Sequence, residues 1–238
     1  MHHHLATLAI ALAALAAPLA HAQDNDAVAE QLRAATQAHD QGHWASARRT
    51  FERLARDGVP AAQYNLGVMH LRGELPNASP REALRWMTLA ADNGFVTAMY
   101  DLGRLYESSG VVGPQNLPES NRWYLRAAEA GSVDAQSAIG TAYYLGRGVT
   151  KDMAQAAHWY REAAKGGDVG TQYLIASMYE SGDGVAQDLR LARYWYDVAA
   201  KNGDVASPSK VKQLDAQLQA VQQQADAPAA AASATARP

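Results

Sequence analysis

The chain of 238 residues contains no cysteine. No disulfide can staple it, and no lipid can be attached to an N-terminal cysteine. Charge of one sign is missing too: the net charge is −3 and it is spread without blocks, which argues against nucleic acid as a partner. A membrane-spanning run is absent as well. The one long apolar stretch, Leu5 to Ala20, is interrupted by Pro18 and falls short of the roughly 20 residues a bilayer crossing needs. It is followed by Ala20-His21-Ala22, a small-x-small cleavage signature, so residues 1–22 read as a signal peptide, with His2, His3 and His4 where Lys or Arg is expected. The mature chain is then expected to begin near Gln23, to carry no transmembrane span, and to be periplasmic or secreted after cleavage near Ala22.

What is present is a repeat. Ala90-Ala91 with Gly94 recurs as Ala127-Ala128 with Gly131, Ala163-Ala164 with Gly167 and Ala199-Ala200 with Gly203, at spacings of 37, 36 and 36 residues. Trp86, Trp123, Trp159 and Trp195 keep the same phase. A period in the thirties indicates a stacked array, which builds a long surface for partners more often than a pocket for chemistry. Each unit reads as two antiparallel helices. Helix A carries Ala62-x-Tyr64-x-Leu66-Gly67, Ala98-x-Tyr100-x-Leu102-Gly103, Ala135-x-Ser137-x-Ile139-Gly140 and Thr171-x-Tyr173-x-Ile175-Ala176. The small residue that closes each pattern permits close helix approach, and Ala176 shows that small size is the requirement. Helix B opens seven residues before each tryptophan, at the cap residues Ser79, Asn116, Asp152 and Asp188, and stops at the glycines of the recurring pattern.

These residues resemble the Sel-one-like repeat family, a longer-period cousin of the tetratricopeptide repeats. The resemblance covers about Pro60 to Gly203 and is carried by Leu-Gly-x-x-Tyr, the loops Gly146-Arg147-Gly148-Val149-Thr150-Lys151-Asp152 and Gly182-Asp183-Gly184-Val185-Ala186-Gln187-Asp188, and Ala-x-x-Trp-Tyr-x-x-Ala-Ala-x-x-Gly. Repeat one replaces the glycine loop with Glu74-Leu75-Pro76-Asn77-Ala78, and repeat two enlarges it around Gly110 and Gly113. The implied fold is all-α, a right-handed α-solenoid of about eleven helices, in an exported bacterial member of the family. Its divisions are a signal peptide (1–22), a degenerate tetratricopeptide-like pair (23–58), repeats at 59–94, 95–131, 132–167 and 168–203, a capping helix (204–224) and a disordered Ala/Pro tail (225–238). The first helix of the N-terminal pair is expected from Ala27 to Asp40. The capping helix carries Val211, Leu214, Leu218 and Val221 at three-four spacing; it reads as a cover for the last repeat rather than a dimer arm, and the chain is expected to be a monomer.

In stacked pairs of this type the A helices line the concave side. Residues at fixed offsets from the helix A leucine then form a partner-binding face: Tyr64, Leu71 and Arg72; Tyr100, Arg104 and Glu107; Ser137, Thr141 and Tyr144; Tyr173, Ser177 and Glu180. Val68, Ser108, Leu145 and Ser181 share those columns. Tyrosine, arginine and small hydroxyls suit a protein or peptide segment.

Chemistry is poorly represented. The histidines outside the leader, His39, His43, His70 and His158, include no HExxH and have no cysteine partner, so no metal or cofactor is expected. Ser207-Pro208-Ser209-Lys210 formally matches Ser-x-x-Lys, but it reads as a Pro-broken linker without the companion motifs. Some cysteine-rich exported relatives are associated with beta-lactam binding, and this chain lacks their cysteines. The expectation is therefore a non-enzymatic scaffold for a protein or peptide partner in the envelope. The alternatives are a module binding cell-wall glycan or polysaccharide and, on Ser207 alone, a cell-wall or beta-lactam hydrolase.

Overall fold

A computed structural model of the chain describes residues 22–110 and 112–226. Residues 1–21 of the expected leader and residues 227–238 of the expected tail lie outside the described residues, while residues 225 and 226 close α11. Eleven helices are described: α1 (Ala22–Asp40), α2 (Trp44–Arg56), α3 (Pro60–Leu71), α4 (Pro80–Asp92), α5 (Val96–Glu107), α6 (Leu117–Glu129), α7 (Val133–Leu145), α8 (Met153–Lys165), α9 (Val169–Ser181), α10 (Leu189–Lys201) and α11 (Ser207–Asp226). No strand occurs among the described residues. The chain divides into two compact units, Met1–Ser132 with α1 to α6 and Val133–Pro238 with α7 to α11. Each is an all-α stack of helix pairs of the solenoid type, with sequential helices packed on one another.

Helix starts and stops follow from local chemistry. Ser79 accepts a hydrogen bond from the Glu82 amide, Asn116 from the Glu119 amide, Asp152 from Ala154 and Gln155, and Asp188 from Arg190 and Leu191. Each thereby satisfies orphan donors of the first turn. At the other end, the recurring Ala-Ala-x-x-Gly is a helix stop written in carbonyls. In α4 the Gly94 amide donates to Ala91 O at 3.0 Å and the Phe95 amide to Ala90 O at 2.9 Å, with Gly94 at φ 86°. The same two bonds recur at Gly131, Gly167 and Gly203. A side chain at that left-handed position would be strained, so glycine is retained.

The α3, α5 and α7 glycines sit where helix A crosses helix B. A Cβ at Gly67 would stand 2.5 Å from Met87 Cγ, at Gly103 2.5 Å from Tyr124 Cδ1, and at Gly140 2.8 Å from Tyr160 Cδ1. Close approach therefore depends on the residue that follows each tryptophan. A second device ties successive pairs: Gln63 donates to Ala55 O at 3.1 Å while accepting from Asn93 at 2.9 Å, and Gln172 donates to Ala164 O at 3.1 Å while accepting from Asn202 at 3.0 Å. One buried amide thus satisfies the end of the preceding helix B and the end of its own.

Two expectations need correction. Helix α1 begins at Ala22 rather than Ala27; Asp26 lies near its start, where a carboxylate favours the positive end of the helix dipole. The Ser207–Lys210 segment is the first turn of α11 and not a linker. Proline is tolerated there because the first turn has no intrahelical donor to lose. Asp204 caps it, accepting from the Ser207 amide at 2.7 Å and from Ser207 Oγ at 2.5 Å. This repeats the way Asp168 accepts from the Thr171 amide at 2.6 Å to start α9. Helix α11 is in effect a fifth helix A, with Ser207 buried where Ala62, Ala98, Ala135 and Thr171 stand. Leu214 is fully buried against Ile175, Met178 and Tyr196, so α11 covers the end of the second unit's core. The small residue of the other A helices, glycine in α3, α5 and α7 and Ala176 in α9, is replaced by exposed Lys212.

Candidate functional site

The partner-binding face predicted from sequence lies on α3 and α5 in the first unit and on α7 and α9 in the second. In the first unit Tyr64 is not on that surface. It is 1% exposed, donates to Asp101 Oδ2 at 2.6 Å and packs on Phe95 with ring centroids 5.2 Å apart. Val68 is buried as well. Helical offset alone places both on the face; the start of α5 covers Tyr64, through Asp101 and Phe95. Leu71 is half-buried and Arg72 exposed. Tyr100 is half-buried against Tyr124, with centroids at 5.6 Å, and the Arg104 guanidinium lies 6.0 Å over the Tyr100 ring and 3.7 Å from Asp101. Glu107 accepts from Tyr124 Oη at 2.8 Å.

In the second unit Ser137 is half-buried and its carbonyl accepts from Thr141 Oγ1 at 2.9 Å, while Thr141 accepts from Tyr160 Oη at 3.1 Å. Tyr144 is 37% exposed, packs on Tyr160 at 6.3 Å and carries Lys151 Nζ 5.8 Å from its ring. Leu145 beside it is 54% exposed. Tyr173 stands edge-on to Tyr196 at 5.1 Å, and Ser177 accepts from Ser181 through its carbonyl. Glu180 accepts from Tyr196 Oη at 2.7 Å and from Lys210 Nζ at 3.0 Å.

These contacts expose a pairing rule that sequence reasoning missed. The residue after each tryptophan faces the residue four beyond the helix A glycine or alanine. Tyr124 meets Glu107 and Tyr196 meets Glu180 by hydrogen bond, Tyr160 meets Tyr144 ring to ring, and Met87 stands in the repeat that has Leu71. Burial, then the carboxylate partner, raises the phenol pKa of Tyr124 and Tyr196 well above the ordinary value, so both stay protonated donors. Glu107 and Glu180 are therefore engaged within their own repeat. Among the larger side chains, the faces leave Arg72, 3.8 Å from Glu74, and Arg104 at least partly open in the first unit and Tyr144, with Lys151 above it, in the second.

The repeat that governs this geometry is also the one that places the chain among known proteins. The Sel1 repeat model matches residues 60–95, 96–132, 133–168 and 171–204, which is more than half of the chain. The chain belongs to the Sel1 repeat family. Sel1 repeats, like the related tetratricopeptide repeats, form protein-interaction scaffolds. The crystal structure of a Sel1 repeat protein from Oxalobacter formigenes is similar at 34% identity and a TM-score of 0.62, covering 71% of this chain and 49% of that one. A protective antigen of uropathogenic Escherichia coli strains, displaying an SLR fold, is similar at 30% identity and a TM-score of 0.67, covering 81% of this chain and 41% of that one. Among curated proteins, an exopolysaccharide production negative regulator of Rhizobium leguminosarum bv. viciae is 38% identical over 60 residues, 25% of this chain and 22% of its own. Chitin synthase regulatory factor 3 of Schizosaccharomyces pombe is 34% identical over 109 residues, 44% of this chain and 12% of its own. The chain thus spans about a fifth or less of the length of these curated relatives.

The remaining candidate chemistry is engaged in local contacts. Ser207 Oγ is held by Asp204 and Lys210 Nζ by Glu180. Among the described residues no group of three or more His, Cys, Asp or Glu is placed to hold a metal. His39 and His43 are four residues apart, but α1 ends between them and His39 Nε2 lies 2.8 Å from Glu74 of the repeat-one loop. His70 is half-buried with its Nδ1 unpartnered, and burial lowers its pKa. No helix among the described residues is long and apolar enough to cross a membrane.

Proposed function

We propose that the chain is an exported scaffold that presents the helix A face of its Sel1 repeats to a segment of another protein in the envelope, and that it carries out no reaction itself. The observation that carries this reading is the state of the helix A face. Its half-buried carboxylates, Glu107 and Glu180, are engaged within their repeats, while Tyr144, Leu145, Lys151, Arg72 and Arg104 remain at least partly at the surface, on or beside the A helices. Such a face is preorganised, so binding orders little of the scaffold, and aromatic and arginine side chains are the usual carriers of binding energy. Two curated relatives are named as regulators, of exopolysaccharide production and of chitin synthase. That favours a role exerted by binding to a synthetic or regulatory machinery over one exerted by catalysis.

The test is selection of a random peptide library against the purified chain, with Tyr144→Ala and Arg104→Ala variants as comparators. The reading expects enriched peptides whose affinity falls by about fivefold or more in at least one variant, the effect of losing a contact worth about 1 kcal/mol or more. Failure to enrich any sequence, together with retention of the chain on purified cell-wall glycan that Tyr144→Ala abolishes, would replace it with the glycan-binding reading.

A further inference from the structure

The outer face of the B helices changes character in the last repeat. Two columns, four residues and one residue before the tryptophan, hold Glu82 and Arg85 in α4, Glu119 and Arg122 in α6, and Gln155 and His158 in α8. In α10 they hold Leu191 and Tyr194. In every repeat the second residue covers the tryptophan beside it. Arg85 lies 5.3 Å over Trp86, Arg122 5.6 Å over Trp123, His158 4.7 Å edge-on to Trp159, and Tyr194 5.2 Å edge-on to Trp195. The covering role is met equally well by a cation, as α4 and α6 show, where Glu82 and Glu119 also neutralise the arginine at 3.0 and 2.5 Å. Packing on tryptophan therefore does not require the apolar pair of α10, which leaves Leu191 40% and Tyr194 54% exposed. Half-buried Val198 extends them at i, i+3 and i+7 into one stripe along the helix.

We propose that this stripe is a contact between two copies of the chain, meeting through α10 antiparallel about a two-fold axis near Tyr194. The helix is self-complementary in that arrangement. Leu191 of each copy lies beside Val198 of the other, the two Tyr194 rings meet at the axis, and Arg190 of each copy lies beside Asp197 of the other. Arg190 is exposed and makes no ion pair among the described residues, and Asp197, bound by Lys201 at 2.6 Å, keeps acceptor capacity. The monomer expected from sequence rested on α11 acting as a cap; α11 does cap, and the stripe lies on α10. A single helix stripe is smaller than the ~800 Å² per partner of a standard interface, so the expected dimer is weak and depends on concentration.

Sedimentation velocity of the purified chain from about 1 to about 200 µM reads the equilibrium directly. The expected result is a shift from one to two chain masses across that range. The double variant L191E/Y194R places in repeat four the residue types that repeat two already accommodates, Glu119 and Arg122, so it keeps its helical circular dichroism and stays at one chain mass throughout. Arg190→Asp weakens association about tenfold, and adding Asp197→Arg restores it. A single-chain mass at every concentration overturns the proposal and leaves the stripe to a different protein. Persistence of the dimer in L191E/Y194R overturns it too, since the copies would then meet elsewhere.

Discussion

At the scale of single residues, the repeat is held by a few positions where size or charge admits little choice. The helix A glycines of α5 and α7 are the clearest, because the missing Cβ is the space that Tyr124 or Tyr160 occupies. Gly103→Ala gains helix propensity but drives a methyl to 2.5 Å from the Tyr124 ring. The expected net loss is about 1–3 kcal/mol, read as a lower chemical-denaturation midpoint. A matching or higher midpoint would mean that the ring shifts freely. Asp101 makes a second case. It is buried, accepts from Tyr64 at 2.6 Å, and burial raises its pKa above the usual carboxylate value. The folded state therefore holds the Asp101 proton more tightly than the unfolded chain, and this group's contribution to stability falls as pH rises through the interval between its unfolded and folded pKa. Asp101→Asn keeps an acceptor for Tyr64 and removes the buried charge. Its stability relative to wild type is expected to be greater at pH 7 than at pH 4, measured by urea unfolding at both; the reverse order would contradict the burial argument.

Elements show what was legible in the sequence and why. Caps and stops were readable because they are local: Asn116, Asp152 and Asp188 act within three residues of themselves, and the Ala-Ala-x-x-Gly stop closes within one turn. The helix A to helix B approach was readable as well, because four copies showed that only small residues stand at the crossing. The fate of Tyr64 was not, since its partner Asp101 lies 37 residues on and repeat three has Ala138 in that column. The three-four stripe of α11 marks it as a cover, but Pro208 hides its first turn, which shows only in the Asp204-to-Ser207 spacing shared with Asp168 and Thr171. The pairing of Glu107 with Tyr124 and Glu180 with Tyr196 could have been found by comparing columns across repeats. As for the cover itself, Leu214→Ala opens a cavity against Ile175 and Tyr196 and is expected to cost about 2–5 kcal/mol. Hydrogen exchange should place that loss in α9 to α11, and a loss confined to α11 would show that it does not complete the core.

For the whole molecule, each unit builds the same alternation from repeated pairs. The Ala- and Tyr-rich faces are consumed in packing, and the helix A columns are left with groups the core does not need. That division explains why one chain can keep four nearly identical tryptophan sites while varying Arg72, Arg104, Tyr144 and Ser177. A scaffold is expected to show this pattern, because selection for packing and selection for a partner act on different columns. The central claim, that the helix A face meets a protein, is tested most directly by photo-crosslinking in the cells that produce the chain. A reactive amino acid would be placed at Arg104 and Tyr144, with exposed Gln155 on α8 as the comparison. A discrete protein adduct from Arg104 or Tyr144 and none from Gln155 is the predicted result. Adducts from Gln155 alone, or equal adducts from all three, would contradict the account.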